Sequence, residues 1–433
     1  MSAETVSAAA VQEALRATGV KLPPEVLEPY VQGYFADRQR YLDIVALHPP
    51  PLYVLQTRIL EQRCRQFREA FRKVLPEAAF YFAVKSNNYP EVSRIVLENG
   101  FGLDVSSGSE LQMALYLQAR DIIFSGPGKT GEELRQAALN ADRTVVLMDS
   151  FHELDRLQDA ASSVGRQVRA GIRVAIDPTG LWRKFGISLD DLPAFRQKAL
   201  SCDCIDLQGI QFHSSWNLGP ERQVGFIEKL GRALSAMPAD FLHNLRFIDI
   251  GGGYWPSQGE WMQAAGTPAG MVRRAMDAPV NSAFAHYWNP AQPLEVFAER
   301  LAAAIKSHIF PVTDCRICLE PGRWICNDSM QLLLSVVDIK AADLAITDAG
   351  TNAVGWERFE VDYFPVLNLS RPGMLETPCT LFGSLCTPHD VWGYSYWGTG
   401  LAEGDILLIP MQGAYTYSLR QDFIKPPPQV VTV

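Results

Sequence analysis

The sequence lacks the features that would place the protein in a membrane or on a polyanion. No run approaches the roughly 18 consecutive apolar residues that a membrane-spanning helix needs. The 39 Lys and Arg residues are outnumbered by 48 Asp and Glu residues, so the formal net charge is −9. A surplus of negative charge repels nucleic acids and anionic lipids. We therefore expect neither nucleic acid nor a membrane among the partners.

Cysteine is also scarce, with eight residues spread over 433 positions without regular spacing. This usage is typical of reduced thiols and not of a disulfide framework. Cys315 and Cys318 have CxxC spacing, but no second CxxC or histidine pair with ligand spacing accompanies them. Buried strand cysteines are favoured over a zinc site, and no metal is predicted.

The N-terminal stretch MSAETVSAAAVQEALRATGV has neither a basic start nor a long apolar centre. It predicts an amphipathic helix and not a signal peptide. We expect residues 1–48 to form a helical extension. Together with the reduced thiols, this predicts a cytoplasmic protein.

The centre of the chain contains eight short apolar runs separated by stretches with helical periodicity. The runs are AFYFAV (79–84), FGLDV (101–105), DIIFSG (121–126), TVVLMD (144–149), VRAGIRVAI (168–176), DLQGIQFH (206–213), LRFIDIGGG (245–253) and CRICLEPGR (315–323). Alternation of strands and helices indicates parallel pairing with right-handed crossovers. Eight units over about 250 residues predict an α/β fold, a closed (β/α)₈ barrel of the TIM type.

The sequence pattern changes after residue 323, where the segments become strand-like and rich in turns. We expect a barrel over residues 49–320 and an antiparallel β domain over 321–433. The proline-rich PPPLYVLQ (49–56) is expected to give that β domain a strand before the chain enters the barrel. The long connection 254–293 either lines a substrate pocket or only packs on itself.

Polar and glycine residues stand where the apolar runs end. They are Lys85, Asp104, His213, Gly251, Gly252, Gly253 and Glu320. Because enzymes with this barrel build their sites at the C-terminal ends of the strands, the placement predicts one shared site. Taken alone, a lysine after a strand is more often solvated, and a histidine is more often a core residue with its hydrogen bonds satisfied.

Two glycine-rich motifs look like phosphate loops without matching one. GPGKT (126–130) has Ile123 where the first glycine of GxxxxGK[ST] should stand, so nucleotide binding is not predicted. GGGYWP (251–256) lacks the GxGxxG spacing. Three glycines after a strand can nevertheless present backbone N–H groups to an anion.

Eight short motifs together resemble one family, the fold-type III pyridoxal phosphate decarboxylases, which include the ornithine, arginine and diaminopimelate enzymes and share the alanine racemase-like barrel. The resemblance covers about residues 48–425. The motifs are AVKSN (83–87), GLDVSS (102–107), KFG (184–186), FHSS (212–215), IDIGGG (248–253), LEPGRW (319–324), LCTPHD (385–390) and GAYT (413–416). The resemblance implies pyridoxal 5'-phosphate as cofactor and an amino-acid substrate.

The resemblance also implies catalytic roles for four residues. Lys85 would carry the cofactor, and its amine must be uncharged to attack the aldehyde. His213 would stack on the pyridine ring, and Glu320 would keep the pyridine nitrogen protonated. Cys386 would return a proton to the substrate carbon after CO₂ leaves. In the family this cysteine comes from the neighbouring subunit, which implies a homodimer with shared active sites.

Further residues would hold the cofactor. Asp104 and Arg173 match positions that support the lysine and the ring. The phosphate would be bound by Gly251, Gly252, Gly253, Gly322, Arg323 and Tyr415. The family usually has a serine three residues after the stacking histidine, and here Trp216 stands there. Ser214, Ser215 or the Trp216 indole could replace it, and Ser215 is included in the predicted site.

Glu320 separates two reaction classes in this resemblance. Alanine racemase has an arginine at the pyridine nitrogen, whereas a carboxylate favours decarboxylation. A racemase or an inactive homologue is therefore the weaker interpretation, because Lys85, Glu320 and Cys386 are all present.

The residue after Cys386 bears on the substrate. Relatives acting on diamino acids have Asp or Glu there, facing the distal ammonium, and this chain has Thr387. LCTPHD, FSGPGKT and FHSS look most similar to decarboxylases of siderophore and antibiotic assembly, such as one acting on a citryl-diaminopropionate conjugate. A primary-metabolism decarboxylase for diaminopimelate, ornithine or lysine remains the alternative. Thr387, His389, Asp390 and Arg358 are the candidate substrate contacts.

Overall fold

The computed structural model describes residues 7–17, 19–177, 179–278, 280, 285–355 and 361–433. The chain divides into two compact units. The barrel unit contains Thr57–Ser257 and Ala291–Cys326, and the sheet unit contains Met1–Gln56, Gln258–Pro290 and Asn327–Val433. No helix among the described residues is long and apolar enough to cross a membrane.

Strands and helices alternate through the barrel unit, whereas strands dominate the end of the chain. The strands are β1 (Leu52–Leu55), β2 (Ala79–Ala83), β3 (Gly102–Val105), β4 (Ile122–Phe124), β5 (Thr144–Met148), β6 (Val168–Arg173), β7 (Ile205–Gln211), β8 (Phe247–Asp249), β9 (Glu260–Met262), β10 (Tyr287–Asn289), β11 (Arg316–Leu319), β12 (Met330–Ala341), β13 (Leu344–Thr347), β14 (Leu367–Asn368), β15 (Glu376–Phe382), β16 (Val391–Trp397), β17 (Ile406–Ile409) and β18 (Gln429–Thr432). The helices are α1 (Ala8–Arg16), α2 (Pro24–Ala36), α3 (Arg38–Leu47), α4 (Thr57–Arg72), α5 (Pro90–Glu98), α6 (Gly108–Tyr116), α7 (Gly131–Leu139), α8 (Phe151–Ser163), α9 (Leu192–Ala199), α10 (Glu221–Ser235), α11 (Ala239–Asn244), α12 (Pro268–Ala275), α13 (Leu294–His308) and α14 (Arg323–Cys326).

The eight apolar runs of the sequence form a closed parallel barrel, which confirms the predicted fold class. Its strand order is β11-β2-β3-β4-β5-β6-β7-β8. Most residues of these strands are buried, as continuous apolar runs in a parallel sheet predict. Ile123, Leu147, Phe247 and Cys318 pack together in a core cluster inside this unit. Gly209 leaves room there, because a Cβ at that position would collide with the Phe247 ring.

Helix α4 shows how the outer layer is attached. Leu60, Cys64, Phe67 and Phe71 are its buried residues, and they recur at the spacing of one helix face. Phe67 lies edge-on to Phe80 of β2, at 6.0 Å between ring centroids. The helix therefore covers one side of the barrel sheet.

The GPGKT segment has a structural role in the barrel unit. The Lys129 ammonium donates to the carbonyl oxygens of Gly126 (2.6 Å) and Leu147 (2.8 Å) and to Glu153 Oε1 (2.7 Å). These three bonds use every N–H of the ammonium group. Lys129 thus ties the segment after β4 to the end of β5 and is not available to a nucleotide phosphate.

The sheet unit contains an eight-stranded sheet in the order β13-β15-β16-β14-β17-β12-β1-β18. Strand β1 pairs antiparallel with β12 and parallel with β18. Two further pairs, β13–β15 and β14–β16, are also parallel. The sheet is therefore mixed, so the antiparallel β domain expected from the sequence also contains parallel pairs. Only hairpin-linked neighbours have to be antiparallel, and these three pairs join segments distant in the chain.

Much of the long connection after β8 belongs to the sheet unit, where it packs on itself and on nearby aromatic residues. Strands β9 and β10 pair antiparallel. Trp261 is buried and lies against Tyr30 and Tyr363. The His286 ring stacks on Tyr363 at 3.5 Å, and its Nε2 lies 2.7 Å from Glu376 Oε1. For these two residues the packing interpretation fits the structure.

Candidate active site

Lys85 lies directly after β2, in a 3₁₀ turn over Val84–Ser86. Its Nζ is 3.0 Å from Asp104 Oδ2 at the neighbouring end of β3. The Lys85 side chain is 37% exposed, whereas that of Asp104 is fully buried. The Ser125 hydroxyl, just after β4, donates to Asp104 Oδ1 at 2.5 Å. Three successive strand ends therefore position one reachable amine.

Asp104 is a buried acid with an elevated proton affinity. Burial, and then the negative charge of Glu320, raise the pKa of Asp104 to about 6, although Lys85 and Ser125 act against the shift. A carboxyl group that titrates near neutrality can share a proton with the amine beside it. An amine is nucleophilic only in its uncharged state, so attack by Lys85 requires this proton to move.

His213 follows β7, and its ring is held at both nitrogens. The Gly252 N–H donates to Nδ1 at 3.1 Å, and Nε2 lies 3.2 Å from the Ser215 hydroxyl. Because Nδ1 accepts a hydrogen bond, the ring proton belongs on Nε2. Burial lowers the pKa of His213, against the opposing effect of Glu320. The site therefore contains a flat, neutral imidazole.

Glu320 follows β11 and is buried. The Gln211 amide donates to both of its carboxylate oxygens, at 3.5 and 3.4 Å. Burial alone raises the pKa of Glu320, but the neighbouring His213 side chain and the charge of Lys85 outweigh it and lower the pKa to about 2. Glu320 is thus a buried carboxylate that stays ionised.

The glycine turn after β8 is packed too tightly for any side chain. A Cβ at Gly252 would collide with the Glu320 carbonyl oxygen, and one at Gly253 with the Ser214 carbonyl oxygen. The Gly251 N–H donates to Asp249 Oδ1 at 2.8 Å, and the Gly252 N–H to His213. The Gly253 N–H makes no hydrogen bond to the described residues. The turn is therefore tied to the site at two amides and offers the third to an anion.

Two more predicted cofactor contacts lie at the barrel edge. Arg173 ends β6, with Nη1 3.9 Å from Asp149 Oδ1 and its guanidinium 4.4 Å above the Phe185 ring. Arg323 begins α14 directly after Gly322, and its guanidinium lies 4.4 Å above the Trp255 ring. Both cations belong to the barrel unit.

The remaining predicted residues belong to the sheet unit. Cys386 is exposed and Thr387 partly buried, and His389 is exposed. Tyr415 has a left-handed φ of 57° in the segment after β17. Arg358 lies outside the described residues.

Asp390 is engaged inside its own loop. It is buried, and its Oδ1 accepts from the Thr351 N–H at 2.6 Å and the Thr351 hydroxyl at 3.0 Å. Its Oδ2 accepts from the Leu385 N–H at 2.7 Å. The carboxylate therefore holds the segment that presents Cys386 and is not directed at a substrate.

Several residues that support the site were missed at the sequence level. Ser125 holds Asp104, and Gln211 contacts Glu320. The Asn217 amide donates to the carbonyls of Ser214 and Gly252, at 3.2 Å each, and so joins the His213 segment to the glycine turn. Gln211 could have been found from strand periodicity, since it lies two residues before His213 and on the same face. Asn217 lies beyond the strand and carries no such signal.

A parallel barrel with a reachable lysine, a neutral histidine, a buried glutamate and a glycine turn at adjoining strand ends defines a class of enzyme: one that binds a phosphorylated aldehyde cofactor through an amine. The family model described as "Pyridoxal-dependent decarboxylase, pyridoxal binding domain" matches residues 58–327. The chain belongs to this family. It is a pyridoxal phosphate-dependent amino-acid decarboxylase.

Curated relatives and solved structures agree with the family over nearly the whole chain. A diaminopimelate decarboxylase of Aquifex aeolicus is 24% identical over 91% of this chain and 90% of its own length. The 2-[(L-alanin-3-ylcarbamoyl)methyl]-2-hydroxybutanedioate decarboxylase of Staphylococcus aureus is 26% identical over 80% of this chain and 85% of its own. The crystal structure of diaminopimelate decarboxylase from M. jannaschii with L-lysine has a TM-score of 0.76 at 20% identity, covering 91% of this chain and 89% of that one.

The described site fits pyridoxal phosphate. The glycine turn leaves an unused N–H at Gly253, in a cradle that a Cβ would fill. Among the described residues no basic side chain lies closer to the Glu320 carboxylate than His213, at 3.7 Å, so Glu320 can accept a hydrogen bond from a pyridinium nitrogen. Lys85 is the exposed amine among these groups. Each chemical part of the cofactor thus has a matching group.

Replacing Lys85 with alanine should remove the covalent attachment of the cofactor. The wild-type protein should absorb in the visible range, and borohydride should abolish that absorbance and fix a pyridoxyl group on the Lys85 peptide. Lys73→Ala, at an exposed position after α4, is the matched control and should behave like the wild type. Mass spectrometry of the reduced protein checks the site. A pyridoxyl group fixed on another lysine of Lys85→Ala would contradict the assignment.

Proposed function

We propose that this enzyme decarboxylates an amino acid whose far end is neutral or anionic, such as an acylated or citrylated diamino acid of siderophore or other specialised metabolism. The observation that carries the proposal is that the 385–390 loop has no carboxylate available to a substrate. Its sole carboxylate, Asp390, is buried and accepts three hydrogen bonds from its own unit. Thr387, next to Cys386, has no charge to offer a distal ammonium.

The energetic argument is one of desolvation. An ammonium group buried without a counter-ion costs several kcal/mol even after relaxation. Each 1.4 kcal/mol corresponds to about a tenfold change in rate or affinity. A site without a carboxylate at this position therefore discriminates against lysine and ornithine. The name of the S. aureus relative describes an amino acid joined to a hydroxybutanedioate, which is a substrate with an anionic far end.

Diaminopimelate decarboxylation is the second candidate. The A. aeolicus relative and several others of similar identity carry that name. The far end of diaminopimelate has a carboxylate as well as an ammonium, so it differs from lysine in offering an anion to the site. The two candidates are separated by the substrate alone, because the same residues would serve both reactions.

The residues divide the work of decarboxylation among them. Bound pyridoxal phosphate supplies an electron sink for the electron pair released when CO₂ leaves. Lys85 would bind it covalently, with Asp104 exchanging the amine proton at Nζ. Glu320 would hold the proton on the pyridine nitrogen, and His213 would orient the ring from one face. Gly253, Gly322, Arg323, Ser215 and Tyr415 would bind the phosphate.

Cys386 is proposed to deliver the final proton to the substrate carbon from the neighbouring subunit of a homodimer. The support is its exposed thiol, presented by the loop that Asp390 fixes. A donor from another subunit makes each active site depend on two chains.

The wild-type enzyme should turn over a citryl-diaminopropionate conjugate at least about hundredfold more efficiently than lysine or ornithine, because only the diamino acids bring an unpaired cation. Diaminopimelate belongs in the same panel. Thr387→Asp should raise kcat/KM for lysine and ornithine, whereas the neutral isostere Thr387→Asn should not. Steady-state CO₂ release measures both. Efficient wild-type turnover of lysine or ornithine, or equal effects of the two variants, would overturn the proposal.

Mixing Lys85→Ala with Cys386→Ala should restore part of the activity that each protein lacks. If each site uses Lys85 of one chain and Cys386 of the other, a mixed dimer regains one intact site. Cys386→Ala alone should still bind the cofactor and show its visible absorbance. Native mass spectrometry establishes that subunits have exchanged. Mixed dimers without any recovered activity would rule out a shared site.

A further inference from the structure

The barrel core contains a third carboxyl group, Asp249, beside the two already described. Asp249 ends β8 and is fully buried. In the barrel register it pairs with Gln211 of β7 and Cys318 of β11. Glu320 follows two residues after Cys318. Asp249 therefore lies next to the strand end that presents Glu320.

The two oxygens of Asp249 have different surroundings. Oδ1 accepts from the Gly251 N–H at 2.8 Å. Oδ2 is buried and has no hydrogen-bond partner among the described residues. No lysine, arginine or histidine of the described chain lies within ion-pair distance of this carboxyl group. An ionised carboxylate left in this state would be strongly unfavourable.

The titratable groups that interact most with Asp249 are acids. They are Glu320, Asp104, Cys318, Tyr81 and Tyr254. Asp104 has Lys85 at 3.0 Å and the Ser125 hydroxyl. Glu320 has the Gln211 amide. Asp249 has only one backbone N–H, so among the three carboxyl groups it is the natural place for a proton.

His213 does not fill the role of a donor to Glu320. Its Nδ1 lies 3.7 Å from Glu320 Oε2, which is too long for a hydrogen bond, and Nδ1 already accepts from the Gly252 N–H. The Gln211 contacts, at 3.4 and 3.5 Å, are also long. Glu320 therefore needs a closer donor.

We propose that Asp249 is a neutral carboxylic acid whose Oδ2–H donates a hydrogen bond to the Glu320 carboxylate. Asp249 is thus a positioning residue, since it acts through Glu320. The inference rests on the proposed role of Glu320 at the pyridine nitrogen. One bond satisfies the orphaned oxygen of Asp249 and keeps Glu320 ionised and in place.

The pKa shifts of Asp249 and Glu320 agree with this geometry. Burial, and then the charge of Glu320, raise the pKa of Asp249 well above its ordinary value. The hydrogen bond from Asp249 acts in the opposite direction on the pKa of Glu320. Two interacting carboxyl groups titrate as a pair, and here the pair holds one proton at neutral pH.

Two substitutions test whether Asp249 acts as a hydrogen-bond donor or as a negative charge. In Asp249→Asn the amide can still accept from Gly251 and donate to Glu320, so the variant should retain turnover within about threefold of the wild type. Asp249→Ala removes the donor and should lose about tenfold or more in kcat. The visible absorbance of the bound cofactor should depend on pH in the same way in the wild type and Asp249→Asn, and differently in Asp249→Ala. A strong defect in Asp249→Asn would mean that Asp249 is ionised, and an unaffected Asp249→Ala would mean that it supports nothing.

Infrared spectroscopy gives a readout that needs no substrate and holds even if Asp249→Ala does not fold. The wild type at neutral pH should show the C=O stretch of a protonated carboxylic acid, shifted in D₂O. This band should be absent from Asp249→Asn and present in Glu320→Gln. Loss of the band in Glu320→Gln with retention in Asp249→Asn would place the proton on Glu320 and overturn the inference. If the band behaves as expected but no amino-acid conjugate is decarboxylated, the proposed substrate fails and the inference about Asp249 stands.

Discussion

Burial of several carboxyl groups beside a single reachable lysine is the constraint on which the site depends. Asp104 and Glu320 are both buried at the barrel's strand ends, and the negative charge of Glu320 raises the pKa of Asp104. Lys85 offsets one of them directly at 3.0 Å. A low-dielectric interior makes such interactions strong and makes an unpaired charge costly. The two acids therefore differ in proton affinity, because the pKa of Asp104 is raised and that of Glu320 is lowered.

The glycine turn after β8 connects this electrostatic arrangement to the backbone. Gly251 binds Asp249, Gly252 binds His213, and the Glu320 N–H donates to the Gly251 carbonyl at 2.9 Å. A Cβ at Gly252 would push the Glu320 backbone away. The acid, the imidazole and the Gly253 amide are consequently held by one segment. A shift of this turn would disturb all three at once.

The sequence predicted the barrel because each strand is a short apolar run followed by a polar residue that fold and chemistry both require. Lys85, Asp104, His213 and Glu320 were found by that rule. The role of Asp390 was harder to predict. A carboxylate in a catalytic loop looks the same in sequence whether it faces a substrate or its own backbone. Its three internal hydrogen bonds are a tertiary feature. The parallel pairing of β1 with β18 was missed for a similar reason, since it joins opposite ends of the chain. Lys129 lies in a motif that looks like a phosphate loop, and the absence of the first glycine correctly argued against nucleotide binding, since the ammonium forms a buried ion pair with Glu153.

The protonation state of the cofactor's pyridine nitrogen tests the central claim most directly. Protein reconstituted with ¹⁵N-labelled pyridoxal phosphate would be studied by ¹⁵N NMR across the pH range in which it stays folded. We expect a protonated pyridine nitrogen throughout that range, and loss of that proton in Glu320→Gln. An unprotonated nitrogen in the wild type, or a protonated one that Glu320→Gln leaves unchanged, would contradict the role assigned to the buried acids.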